Sequence, residues 1–315
     1  MGIILILARL ARRPRSAAAA LALLAASCAT DAGSPGSSGD RLSVVASFYP
    51  LSEAAARVGG PVVAVSNLTP PGAEPHDLEL DPEQVTEIAD ADLVLYLGEG
   101  FQPAVQEAVG VVAEGEYVDL LRDLPEARST SDPGELSGGD VVDPHVWLDP
   151  VLMRRIVDRI AETLARLDPG RAAVFQNRAA AFGTDLAELD DDYRSGLSSC
   201  RLRVLVTSHA AFGYLAARYG LTQEPITGIS PEAEPDPERL AQLAQDVERT
   251  GTTTIFTETL VSPKVAQTLA REAGVLTAVL NPLEGLTAQQ AEMGEDYLSV
   301  MRSNLAALRR ALECT

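Results

Sequence analysis

The sequence predicts an α/β protein of two lobes, each with a parallel-sheet βα core, joined by one long helix. Three observations predict it. From residue 42 onward, short apolar runs of strand type alternate with capped, amphipathic helical segments, the pattern of βαβ crossovers. Midway, Phe175, Ala179, Phe182, Leu186, Leu189, Tyr193 and Leu197 recur at steps of three and four, a single apolar stripe on one helix. After that helix the strand–helix alternation restarts.

The elements follow in order. "LSVVASFYP" is a buried-type strand, and "LSEAAARVGG" is a helix closed by Gly59 and Gly60. "PVVAVSNLT" is a second strand that runs into a loop opened by Pro70, Pro71 and Gly72. "DPEQVTEIADA" is a helix with Asp81 as its cap and Pro82 at its first position. "DLVLYLG" is a third strand. Residues 122–143 break the pattern with Gly, Ser, Pro and acidic residues and are expected to form a mobile loop. "DPHVWLDP" leads into a helix capped by Asp149 that runs through Leu167. A second cap at Asp168 starts the long helix, roughly 28 residues or about 42 Å, enough to span two lobes. The second half reads "RVLVTSH" as strand, "AAFGYLAARYG" and "PDPERLAQLAQDVERTG" as helices, "TTTIFTET" as strand, "PKVAQTLAREAG" as helix and "LTAVLNP" as strand. A final helix is expected from about Gln289 to Leu312. The boundaries are a signal over 1–28, a tether over 29–41, a first lobe over 42–168, a linking helix over 169–199 and a second lobe over 200–315.

The N-terminus has the form of an export signal. Arg9, Arg12, Arg13 and Arg15 precede the apolar run "SAAAALALLAA", too short to span a bilayer as a helix. Small residues directly before Cys28 look like a bacterial lipoprotein signal, with Cys28 as the acylated first residue; an ordinary secretory signal cut nearby is the alternative. Either way the protein is exported, lipid-anchored to the outer face of the membrane in the first case and periplasmic in the second. The tether is Gly, Ser, Pro and Asp with nothing to bury. The net charge of −20 argues against a nucleic-acid partner, which calls for a basic footprint. Beyond the signal, Cys200 and Cys314 are an even pair and a candidate disulfide in an oxidising compartment.

The chain has three histidines, and each lies in a short loop: His76 in "PPGAEPHDLEL", His145 in "DPHVWLDP" and His209 in "VLVTSHAAFGY". A histidine met singly is more often a core or surface residue than a ligand. Three imidazoles and one oxygen, however, make a closed tetrahedral metal site. His209 ends one predicted strand, His76 follows another, and Asn281 follows a third. Ligands of open parallel sheets bind outside the carboxyl ends of the strands, so one cleft between two such edges could gather all of them.

Six ordered segments, "PGAEPHDLEL", "ADLVLYLGEGF", "DPHVWLDP", "TSHAAFGYLAARYGL", "ISPEAEPDPERL" and "TETLVSPKVAQTLAREAG", together resemble the metal-specific substrate-binding proteins of ABC importers, in the ZnuA-like, zinc-uptake branch. The resemblance covers about residues 42–313. It implies two lobes bridged by a rigid helix, one metal ion in the cleft between them, and delivery of that ion to a membrane permease by a monomer that is not an enzyme. It carries the ligand role onto His76, His145 and His209. A third imidazole favours Zn(II), whereas the manganese branch typically has a carboxylate there; Mn(II) stands as the alternative cargo. Where the family usually has an aspartate after the last strand, this chain reads "LNPLEG". The fourth ligand is therefore expected at Asn281, with Glu284, Glu258 or a water as alternatives. The segment 122–143 lacks the histidine-rich run of many zinc-specific members. The rival functions are a metal-dependent surface adhesin, which would share the site, and a zinc hydrolase, which would need an open fourth position.

Overall fold

The computed structural model describes residues 41–122, 124 and 142–315. Cys28, the signal, most of the tether and most of the acidic segment 122–143 lie outside the described residues.

The first sheet is made by β1 (Leu42–Ala46), β2 (Val63–Asn67), β3 (Leu93–Tyr96) and β4 (Glu116–Asp119), all parallel, in the order β2-β1-β3-β4. Helices α1 (Tyr49–Gly59), α2 (Pro82–Asp90) and α3 (Pro103–Val112) connect them. Asp81 caps α2 as expected, accepting from Glu83 and Gln84, while the Gln84 side chain returns to Asp81 N in a capping box. The second sheet contains β5 (Val204–Thr207), β6 (Thr222–Pro225), β7 (Thr254–Thr257) and β8 (Leu276–Val279), again parallel, in the order β6-β5-β7-β8. Helices α6 (Gly213–Arg218), α7 (Pro237–Thr250) and α8 (Lys264–Ala273) connect these. The architecture is α/β with two parallel-sheet cores.

Between the sheets run α4 (Pro150–Leu167) and α5 (Ala172–Gly196). Asp149 caps α4 through Val151 N. A 3₁₀ turn at Pro169–Arg171 precedes α5, so the long helix is 25 residues, about 37 Å. Its stripe Phe175, Ala179, Phe182, Leu186, Leu189 and Tyr193 is buried. Helix α5 packs on α1 and α4 from one half and on α10 (Tyr297–Ala311) from the other. The Tyr193 hydroxyl donates to Met301 O on α10 at 2.7 Å.

Two differences from the sequence expectation stand out. Strands β4 and β6 and helix α3 had no counterpart in it. The expected last helix is two: α9 (Ala288–Glu292) ends before Gly294, which sits at φ 72°, and Asp296 caps α10 through Ser299 N. Glycine at positive φ ends one helix and the aspartate starts the next. One core runs through both halves, with Phe48, Trp147, Phe175, Phe212, Phe256 and Tyr297 fully buried in it. A disulfide joins Cys200 and Cys314, 114 residues apart. Among the described residues, no helix is long and apolar enough to cross a membrane.

Candidate metal centre

His209 stands two residues past β5, and its position follows from strand register. Strands β5 and β7 pair Val206 with Ile255; three residues further on each strand, His209 and Glu258 come side by side. The Glu258 carboxylate lies 2.8 Å from His209 Nδ1 and accepts from its backbone N–H at 3.1 Å. The histidine carbonyl accepts from Thr207 Oγ1 and Gln223 Nε2. The ring and Glu258 are both buried.

His145 comes from the loop before α4. Asp143, two residues earlier, turns back on it: its Oδ1 is 2.7 Å from Nδ1 and 3.0 Å from the backbone N. The carbonyl of Asp143 accepts from Tyr214 Oη. Gly213 makes room for this carboxylate, because a Cβ there would lie 2.8 Å from Asp143 Oδ2. Trp147 packs the loop, its ring against Phe48 and His145, and its Nε1 donates to Pro282 O at 2.8 Å. Asp149, the other flanking carboxylate, caps α4 and pairs with Arg218 at 2.6 Å, away from the imidazoles.

His76 comes from the long loop between β2 and α2. Glu74 organises that loop by accepting from the backbone N–H groups of His76 and Asp77. The imidazole lies edge-on to Phe101 at 4.7 Å and is 7% exposed, against 0% for the other two.

The three imidazoles meet at Glu284. Its Oε1 lies 3.4 Å from His76 Nε2, 3.2 Å from His145 Nε2 and 3.1 Å from His209 Nε2, and the last two nitrogens are 3.2 Å apart. All four donor atoms lie within 4.8 Å of one another. A zinc ion with bonds of about 2.0–2.1 Å to four tetrahedral donors sets them about 3.3 Å apart, which is the spacing of these contacts. The Nδ1 atoms of His145 and His209 face carboxylates and so carry the proton in the neutral rings, leaving both Nε2 lone pairs aimed inward. Those lone pairs and the Glu284 oxygen repel one another unless a positive charge, a metal ion or protons on Nε2, stands among them.

The proton affinities reflect the same crowding. Burial alone would push Glu284 up, but the charge of His209 and hydrogen bonds from all three histidines hold it well below the carboxylate range. Burial alone would lower His209, yet Glu258 and Glu284 raise it well above the ordinary imidazole value. His145 is raised in the same way, against burial, by Asp143 and Glu284. For His76 burial prevails and the value falls. Glu74 is pushed up to about 7 by burial and by the charge of Glu284.

Of the oxygens expected at the fourth position, Glu284 is the one that joins the imidazoles. Glu258 sits behind His209. Asn281, the first expectation, is a brace in the loop instead: its Oδ1 accepts from Leu283 N at 2.8 Å. A carboxylate with Nε2 atoms on one oxygen and a buried Oε2 that has no hydrogen-bond partner among the described residues suits a cation better than an amide already engaged with backbone. Glu232 and Glu234 are exposed on the loop before α7. Glu74 was not anticipated; its place two residues before His76 was the only signal.

The comparisons with known proteins lead to zinc-binding relatives. The family model described as "Zinc-uptake complex component A periplasmic" matches residues 44–311. The zinc-binding lipoprotein AdcA of Streptococcus pneumoniae is 38% identical over 282 residues, 87% of this chain and 56% of its own length. The chain thus spans about half the length of that relative. The high-affinity zinc uptake system protein ZnuA of Bacillus subtilis is 36% identical, covering 87% of this chain and 88% of that protein. Among solved structures, the Zn(II)-bound ZnuA-like domain of S. pneumoniae AdcA superposes with a TM-score of 0.72 at 38% identity, over 87% of this chain and 99% of that one. The laminin-binding protein Lmb of Streptococcus agalactiae, described as having adhesin and metal-transporting activity, superposes at 0.75 with 32% identity, over 86% and 99%. By the match of its sequence from β1 to α10, the chain belongs to the family of zinc-uptake complex component A proteins.

Proposed function

We propose that this protein captures Zn(II) outside the cell membrane and delivers it to the permease of an ABC importer. His76, His145, His209 and Glu284 are its metal ligands, and Zn(II) is cargo. The observation that carries this reading is the approach of three Nε2 atoms to one Glu284 oxygen at 3.1–3.4 Å. Three imidazole nitrogens suit Zn(II) better than Mn(II), which lies at the weak end of the divalent series and prefers oxygen donors. Four protein donors also close the coordination shell, whereas a hydrolase keeps one position open for water. Zinc binding in the AdcA and ZnuA relatives supports the same cargo.

In this reading the carboxylates behind His145 and His209 orient the rings and raise their basicity, and Cys28 tethers the protein to the outer face of the membrane. Competition calorimetry of the metal-free full chain with Zn(II) and Mn(II) tests it. One tight zinc equivalent with weak manganese binding is the expected result; manganese preference, or no tight zinc binding, overturns it.

A further inference from the structure

The fourth ligand comes from an irregular segment that is buried throughout, residues 281–286. Buried loop backbone must find partners away from water; Gly72 N donates to Leu286 O at 2.9 Å, and the first half of the segment is held by three side chains. Asn304 on α10 holds Asn281 from both sides: its Oδ1 accepts from Asn281 N at 2.9 Å and its Nδ2 donates to Asn281 O at 2.7 Å. Trp147 Nε1 donates to Pro282 O. Asn281 Oδ1 accepts from Leu283 N.

Leu283 needs such support. Its φ is 56°, the left-handed region that a large side chain occupies only under constraint, and its side chain is wholly buried. That turn aims the next residue, Glu284, at the imidazoles. Released from it, an extended Leu283 would carry the carboxylate away from the cluster. Trp147 belongs to the His145 loop, so the same brace links two of the metal's donors.

We propose that Asn304, acting with Asn281 and Trp147, is a positioning residue for the metal: it holds the left-handed turn that sets the Glu284 oxygen. The proposal rests on the zinc-binding reading above. It makes the last helix, remote in sequence from every histidine, part of the site.

A double-mutant cycle tests it, with zinc affinity measured by chelator competition on the full chain and Co(II) as a spectroscopic probe of coordination. Asn304→Leu is expected to weaken zinc about 10- to 100-fold, the loss usual for outer-shell partners, and to shift the Co(II) bands away from the tetrahedral pattern. In a Glu284→Gln background the same change should cost almost nothing more, because it acts through Glu284. General destabilisation would lower the melting temperature without moving the Co(II) spectrum. If Asn304→Leu does not fold, Asn304→Asp takes its place; it keeps the acceptor for Asn281 N and loses the donor to Asn281 O. Wild-type affinity and spectrum in the Asn304 variant, or losses that simply add, overturn the proposal and leave the zinc reading intact. A wild-type chain that binds no zinc overturns both.

Discussion

In the second half of the chain, His209 and Glu258 stand at the carboxyl ends of neighbouring strands, and the pairing of Val206 with Ile255 fixes their approach. In the first half, the sheet has the same strand order, yet its donors come from outside the strands. His76 rides on the loop after β2, and His145 on the loop before α4. The difference lies in what holds each ring. Strand register and a carboxylate hold His209, and a carboxylate two residues away holds His145. Glu74 holds the His76 backbone, but among the described residues only ring packing and Glu284 hold its imidazole. Similar folds thus supply one donor fixed by the sheet and others fixed by their own loops.

The largest expected effect breaks this contrast at its rigid end. Structural zinc sites bind with about 10–16 kcal/mol, or about 2.5–4 kcal/mol per ligand, so His209→Ala should weaken zinc roughly 10²- to 10³-fold. His76→Ala should weaken it less, because the more exposed position can admit water as a substitute donor. Chelator competition on both variants checks the order, and an equal or larger loss at His76 would erase the distinction. Next in size is Glu258→Gln, expected to cost about 10- to 100-fold by loosening the His209 ring and lowering its basicity.

Acid sharpens the same comparison. A proton on Nε2 excludes the metal. The raised affinities of His209 and His145 mean that protons compete with zinc already above the ordinary imidazole value of about 6.5. Zinc affinity is therefore full above the folded values of these two residues and falls as pH drops through them. His76, held below the ordinary value, adds its competition only in more acid solution. Zinc titrations from pH 8 to pH 5 should show a loss that begins above about pH 6.5, and a profile flat to pH 6 would contradict it. The smallest expected effect is Asn281→Asp, under about tenfold in zinc affinity by the same assay, because a carboxylate can still accept from Leu283 N.

How much was legible in the sequence follows the same division. The βα alternation, the caps at Asp81 and Asp149 and the stripe on α5 are local patterns, and the structure contains them. Strands β4 and β6 are four-residue edge strands, "EYVD" and "TQEP", with polar, partly exposed side chains. They are strands only because a neighbour supplies the backbone partners, which no apolar run announces. The histidines could be singled out by their loops, but the fourth oxygen could not. Asn281 follows the strand where the family pattern looks for a ligand, whereas Glu284 reaches the cluster through a left-handed leucine that backbone preference argues against. Its support comes through Asn281 from Asn304, 23 residues beyond that asparagine.

X-ray absorption at the zinc edge of the zinc-loaded full chain tests the central claim most directly. Four donors at about 2.0–2.1 Å, with the scattering of three imidazoles and one oxygen, are the expected result. Glu284→Gln should disturb that shell and Asn281→Asp should leave it as it was. A shell dominated by oxygen with five or six donors, or one altered by Asn281→Asp and indifferent to Glu284→Gln, would contradict it.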